Sequence, residues 1–529
     1  VNMPSFIYRN NTEVDKDHNY IKLTFKGGDK NKFAVGTTVR LYHNNLSVLQ
    51  ELIPSRGFQS SMDHDMTIGL GSSTTIDSLR VIWPDDKTQL FTKVKANQTL
   101  NLSITDASET YVPVKKNKPT LLKEITNPTL IAHKENNYSD FDFEGLIAKK
   151  LSQEGPAIAI GDIDNDGNDD VFIGGAKGQT SMLYLHKGKG NLVPSSKITF
   201  EKAALFEDTA ATFVDVNNDG FLDLIVSTGG GQVDAEAYYI SRLYINNGNG
   251  TFKDARSLPS AHQSASVIAP NDIDGDGDID LFIGSRSVAG VYGINPPHAI
   301  LINDGKGNFT KDNLLSKQLN PAGMVTDALW IDLDADNNKE LITVSDWGTP
   351  TAFNITSESI NVIDTGLSSY AGWWNAIQSA DFDNDGDLDL ILGNDGTNVH
   401  YKPGSNGPLK MFITDFDGNG TIEQITTYSE GGKDFPIHQK SEITSQIVSL
   451  KKKNLKASDY AKRSIDELFS EDILANAIVK EVNTAETMIA INEGNGNFSI
   501  KALPTRVQLS CVCGITCTDV NNDGNLDIL

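Results

Sequence analysis

Two hydrophobic rhythms divide this chain. Over residues 1–106 apolar and polar side chains alternate in short runs: YIKLTF, TTVRLY, MTIGLG, SLRVIW, QLFTKV and TLNLSI. Period-two alternation marks half-buried strands, so this stretch is expected to form a small β-sandwich. ASETYVPVKKNKPT (107–120), with two prolines and no apolar period, reads as a linker. From 121 to 529 short apolar runs each follow an acidic turn, the first being GDIDNDGNDDVFIGG at 161–175. Only 436–483 changes period, with Ile443, Ile447 and Leu450, then Ile465, Leu468 and Ile473, at helical spacing and Ser458 placed to cap. This reads as a helical excursion, either a partner-binding arm or, more simply, a decorated loop. The fold class is therefore all-β: a sandwich, then a repeat array with a helical insertion.

The acidic turn recurs seven times as D-x-[DN]-x-[DN]-G-x-x-[DE], a repeat signature. Positions 1, 3, 5 and 9 are Asp162, Asp164, Asp166 and Asp170 in the first copy and Asp215, Asn217, Asp219 and Asp223 in the second. They are Asp272, Asp274, Asp276 and Asp280 in the third, and Asp332, Asp334, Asp336 and Glu340 in the fourth. The fifth has Asp381, Asp383, Asp385 and Asp389; the sixth Asp415, Asp417, Asn419 and Glu423; the seventh Asp519, Asn521, Asp523 and Asp527. In the fourth copy Asn337 replaces the glycine, a residue that tolerates a left-handed backbone. The fourth and sixth sites are expected to be weaker or empty.

So much like charge beside a buried strand is costly unless a cation sits among the oxygens. Hard oxygens at positions 1, 3 and 5, a carbonyl near 7 and a later carboxylate suit Ca²⁺, and Gly at 6 permits the chain reversal. Up to seven Ca²⁺ sites are expected. Mg²⁺ prefers octahedral, partly hydrated sites, and Zn²⁺ wants His or Cys, which these loops lack. An EF-hand is excluded, because position 12 is Ile173, Val226, Ile283, Thr343, Leu392 or Thr426 rather than Glu. The loops hold 28 of the 70 acidic residues; seven divalent cations would add fourteen charges and bring −25 to −11.

A second element recurs: LYINNGNGTFKD (243–254), LINDGKGNFTKD (301–312) and INEGNGNFSI (491–500), each a strand, an N-x-G-x-G turn and a strand opened by Phe. One acidic loop plus one hairpin per ~50–60 residues fits a four-stranded propeller blade. These units resemble FG-GAP/VCBS repeats, the calcium-loop blades of integrin-α-type seven-bladed propellers. The copies are spaced 53, 57, 60, 49, 34 and 104 residues apart; the short interval suggests an abbreviated blade and the long one an insertion. FAVGTTVRLY, SRGFQSSMDHDMTIGLG and IDSLRVIWPDDKTQLFTKVKANQTL together resemble the ASPIC/UnbV domain of cartilage acidic protein-like and secreted bacterial proteins. Asp86 stands where that family usually has Gly, so an altered turn is expected there.

Net charge argues against nucleic acid as a partner. There is no apolar run near the ~20 residues that a membrane helix needs. The chain opens VNMPSFIYRNN without a signal-peptide pattern and closes inside a motif, so a longer parent chain is expected. Cys511, Cys513 and Cys517 fall together in SCVCGITC. They are no disulfide framework, and they read as small core residues rather than metal ligands. No catalytic signature stands out. His133, Glu135 and Asp140 in HKENNYSDFDF are a candidate metal or acid/base group, read more simply as an edge that closes the propeller. Clustering of His133, Glu135 and Arg286 in one cleft would favour an enzyme. GWWN (372–375) is the best candidate for an aromatic sugar-binding patch, with core packing equally open. The expected function is a secreted or cell-surface, calcium-binding adhesion module for protein or polysaccharide, the extracellular and adhesive character being what the resemblance implies. The alternatives are a polysaccharide lyase or hydrolase on a calcium propeller, and a structural spacer of a larger surface protein.

Overall fold

The computed structural model describes residues 6–11, 18–113, 121–124, 127–195, 200–233, 238–253, 255–259, 262–404, 407–494 and 496–529. The expected linker lies outside them from residue 114 onward. The chain divides into two compact units, Val1–Thr120 and Leu121–Leu529.

In the first unit, alternation builds two sheets. Asn19–Lys26 lies between Met66–Gly71 and Gln98–Ser103, and Thr38–His43 and Thr75–Ile82 lie within a five-stranded sheet. Ile21, Leu23, Ile68 and Leu70 from the one sheet pack with Val39, Leu41, Leu79 and Val81 from the other in a single core. The turn after Trp83 keeps its hairpin form. The Trp83 N–H donates to the Lys87 carbonyl at 2.8 Å, and Asp86 takes φ +62°. Asp is one of the few residues that enter this region at modest cost, so it stands in for glycine.

The second unit is a series of antiparallel sheets, which we number as blades 1 to 5, each of four strands except that Gly372–Trp373 adds a short fifth to blade 4. Their first strands are Ile158–Gly161, Asp208–Val214, Ser264–Asn271, Met324–Ile331 and Ala376–Ala380. Successive first strands lie side by side, the arrangement of a β-propeller, and a sixth sheet starts with Cys517–Thr518 and Asp527–Ile528. A bulge recurs near the start of these strands, at Thr209, Ser266 and Thr326, which the pairing register skips. The extra residue turns its hydroxyl toward the next blade: Thr209 donates to Ala265 O (2.6 Å), Ser266 to Val325 O (2.6 Å) and Thr326 to Trp374 O (2.9 Å).

The uneven repeat spacing has a different cause from the one expected. Blade 5 is made of Ala376–Ala380, Asp389–Gly393, Met488–Asn492 and Phe498–Ala502. Between its second and third strands sits another complete four-stranded sheet: Leu409–Thr414, Glu423–Glu430, Lys433–Pro436 and Ile478–Val482. The sixth acidic loop therefore belongs to an inserted sheet and not to an abbreviated blade, and the excursion starts well before 436. Five short helices from Lys440 to Ala475 complete it. Ile443, Ile447, Leu450, Ile465 and Leu468 are buried with Phe416 and Ile425 of the inserted sheet, so the helical apolar face covers its own sheet. Ser458 does not cap; Ser464 does, its N–H donating to the Glu467 carboxylate at 3.1 Å. Leu409, Met411, Ile413 and Val482 of the insert pack against Tyr292, Met324 and Trp347. Those residues lie at the strand ends remote from the acidic loops, so loops and insert occupy opposite ends of the blades.

Candidate metal centres

Position 1 of every loop directly follows a first strand, and position 9 opens the second. Each loop is thus a fixed bridge between adjacent strands, and its carboxylates fold inward onto backbone amides. In the first loop Asp162 accepts from the N–H groups of Asp166 (3.1 Å) and Gly167 (2.8 Å). Asp215, Asp272, Asp332, Asp415 and Asp519 accept from positions 5 or 6 in the same manner, and Asp381 from Gly386 at 3.2 Å.

Position 9 is the structural anchor. Asp223 accepts from Val216 N (3.2 Å) within its loop and from Asn246 N (2.7 Å) on the third strand; Asp280 does so from Ile273 (2.9 Å) and Asn303 (2.8 Å). Asp170 and Asp389 repeat the pattern, reaching His186 and Asn492. Glu340, Glu423 and Asp527 each keep the bond to position 2. Burial raises these carboxyls: Asp223 and Asp280 to about 6, with Asp170, Glu340 and Glu423 moved the same way.

The N-x-G-x-G asparagines bind blade to blade. Asn246 donates through Nδ2 to Ile163 O (2.8 Å), Asn303 to Val216 O (2.8 Å) and Asn492 to Leu333 O (3.3 Å). Each carbonyl belongs to position 2 of the preceding blade's acidic loop. His186 and Ile355 occupy the matching place in blades 1 and 4.

The oxygens converge. In the groups Asp162–Asp164–Asp170, Asp272–Asp274–Asp276, Asp332–Asp334–Asp336 and Asp381–Asp383–Asp385, one carboxylate oxygen per residue lies within 4.8 Å of the others. In the second, sixth and seventh loops an Asn carboxamide, from Asn217, Asn419 or Asn521, replaces one carboxylate of positions 3 and 5. Asp164 Oδ1, Asp381 Oδ1 and Asp417 Oδ1 are buried without a hydrogen-bond partner. Orphaned acceptors, converging carboxylates and an all-oxygen donor set fit a hard cation. These clusters can hold metal ions. The first loop also carries a protein cation: Lys187 Nζ lies 3.1 Å from Asp164 and 3.2 Å from Asp166.

At the opposite end, a cavity of about 910 Å³ runs along the first strands, lined by Thr209, Ser266, Thr326, Arg286, Cys511 and Cys513 among others. Of its charged lining residues, Arg286, Glu154 and Lys149 are ion-paired. Arg286 Nε is 2.7 Å from Glu154, and Asp346 lies 3.3 Å from Lys149 and 3.4 Å from Arg286 Nη2 while accepting from Tyr292 Oη at 2.7 Å. Burial alone would raise Asp346, but Lys149, Arg286 and Tyr292 outweigh it and hold the carboxyl below its ordinary value.

Three expectations change here. His133 pairs with Glu135 at 3.0 Å, whereas Asp140 turns away and accepts from Leu151 N, Ser152 N and Ser152 Oγ, closing a local turn. Neither His133 nor Glu135 lines the cavity that holds Arg286. Trp374 is fully buried in the blade 4–5 core and donates to Tyr370 O (3.1 Å), while Trp373 packs edge-on against Trp347 at 5.6 Å, so GWWN is no exposed aromatic patch. Among the described residues no helix is long and apolar enough to cross a membrane.

Comparison with family models agrees with this architecture. Residues 27–109 match the ASPIC and UnbV family model, and 162–226 and 233–283 match the FG-GAP-like repeat. Among solved structures, an Agrocybe aegerita lectin that recognises non-reducing terminal N-acetylglucosamine is 16% identical, with 68% of this chain and 83% of that chain covered and a TM-score of 0.31. The V. cholerae biofilm matrix protein Bap1 is 11% identical, with 66% of this chain and 67% of that one covered and a TM-score of 0.27. The chain carries an ASPIC and UnbV domain followed by a propeller-like array of FG-GAP-like repeats.

Proposed function

We propose that this protein is a calcium-stabilised β-propeller that works outside the cell or on its surface as a binding module for a protein or polysaccharide. The observation that carries the reading is the set of converging carboxylates between the first two strands of blades 1, 3, 4 and 5. Positions 1, 3, 5 and 9 would hold Ca²⁺, a site class whose affinity in extracellular modules is weak, on the order of 10⁻⁴–10⁻³ M. Bound calcium would neutralise the like charges and order the loop end of the blades as a recognition surface.

A depletion assay tests this directly. The protein is mixed with insoluble polysaccharides in Ca²⁺ and in EDTA, and the supernatant is checked for shortened products. Calcium-dependent depletion without products is the expected outcome. Shortened products would replace the reading with an enzyme, and neither depletion nor products would leave a protein ligand or a spacer role.

A further inference from the structure

The three cysteines do not share one environment. Residues 511–516 run without regular strand pairing, held at both flanks by blade 5. Buried Gln508 accepts from Thr487 N (2.9 Å) and donates to Thr487 O (2.8 Å), and Val512 N donates to Asn394 O (3.0 Å). With the chain fixed in this way, Cys511 and Cys513 turn to the same side. Their Sγ atoms stand 2.8 Å apart and both residues line the axial cavity. A separation of two residues spans at most ~6.8 Å between Cα atoms, inside the range that a disulfide bridges. Both residues are solvent-exposed, so a small reagent can reach them. Cys517 lies apart, on the first strand of the sixth sheet.

We propose that Cys511 and Cys513 form a redox-active dithiol that closes to an intramolecular disulfide by exchange with a small disulfide oxidant. The Cys511 hydrogen bond lowers the Cys513 thiol to about 7, which makes Cys513 the attacking thiolate. It attacks one sulfur of the oxidant RS–SR; a Cys513–SR mixed disulfide forms and RS⁻ leaves, taking the proton that Cys513 lost. Cys511 then loses its proton, with the Asp395 carboxylate beside it as acceptor, and attacks the Cys513 sulfur. The second RS⁻ leaves and takes that proton by way of solvent. Two protein thiols are oxidised and one RS–SR is reduced to two RSH. Closing so short a ring removes little chain entropy, so the bond is labile and reversible rather than a structural staple.

The test uses the full chain carrying Cys517→Ser, treated with glutathione disulfide and read by intact mass and peptide mapping. Closure predicts a loss of two hydrogens, a 511–513 link and no retained glutathione, all reversed by dithiothreitol. Cys511→Ser, with no resolving thiol, is expected to retain one glutathione on Cys513. Stable glutathione on both cysteines, or no reaction, would overturn the proposal. The first readout needs neither cysteine altered, so it stands even if the Cys511→Ser variant folds poorly.

Discussion

The first and third acidic loops obey the same spacing but solve the problem of crowded charge differently. In the third, Asp272, Asp274 and Asp276 face one another, and Asp276 and Asp272 add to the burial that raises Asp274. In the first, the strand that supplies His186 to position 9 continues into Lys187, whose ammonium sits between Asp164 and Asp166. One loop is left for a cation from solution and the other carries part of its own. The same motif therefore gives one cluster whose carboxylates could take a metal ion unaided and one in which Lys187 would compete with it.

Metal removal should show the contrast most strongly. Each site occupied at a hundredfold excess of free ion over its Kd stabilises the folded unit by about 2.7 kcal/mol. EDTA should therefore lower the melting temperature of the blades by several degrees or more in scanning calorimetry. Hydrogen exchange should speed up more at Gly275 and Gly277 than at Asp166 and Gly167. Equal loss in both loops would break the comparison.

Position 9 tests the anchor. Asp170→Ala and Asp280→Ala each strand two backbone N–H groups around a buried site, and each should cost about 2–4 kcal/mol in denaturant unfolding in EDTA, and more in Ca²⁺, where a ligand is lost as well. A mild Asp170→Ala would mean that Lys187, and not the anchor, holds the first loop. Lys187→Met should sharpen the difference from the other side. Freed of its internal competitor, the first loop should bind Ca²⁺ about tenfold more tightly by calorimetric titration, roughly 1.4 kcal/mol, while metal-free stability falls by under about 1 kcal/mol because the ion pair is exposed.

The smallest effect is with pH. Asp280 titrates at about 6 in the folded, metal-free protein, above its ordinary value. The folded state then holds a proton that the unfolded chain has released, so the contribution to stability present below the ordinary carboxylate range is lost as pH rises through about 6. Asp223 acts in the same direction. A bound cation favours the carboxylate and reverses the slope. Melting temperatures between pH 4.5 and 7 should thus fall in EDTA and rise in Ca²⁺. At Asp170 burial raises the carboxyl, while the His186 and Ile163 amides and then Lys187 oppose the rise, and only there does a lysine add to the amides, so the first loop should contribute less.

The acidic loops were legible because their chemistry is local: nine residues carry the donors, the turn and the first residue of the next strand. Asn246, Asn303 and Asn492 could be read as turn residues, but their Nδ2 bonds reach carbonyls of another blade that the sequence does not place nearby. The 34-residue interval was open to two readings, because a short blade and an inserted sheet space Asp381 and Asp415 alike. Asp140 looked like a partner for His133 on proximity in the chain, yet two amides and a hydroxyl closer in space claim it. Cys511 and Cys513 read as small core residues, yet both are exposed, and it is the irregular backbone that brings their sulfurs together. Trp374 carries no sign in the sequence to separate a core indole from a sugar platform.

The sheet housed inside blade 5 also constrains the order of assembly. Leu392 pairs with Met488 across 96 residues, whereas the matching pair in blade 3, Ile283 and Ala299, is 16 apart. As a flexible loop the longer connection would cost about 1.6 kcal/mol more to close, and closure would be slow because non-local contacts form late. If the intervening sheet folds first, its ends are already drawn together and the connection behaves as a short one. On a ribosome the innermost part of the nested pair is then the first to finish, and blade 5 stays an open two-stranded edge until its guest is complete.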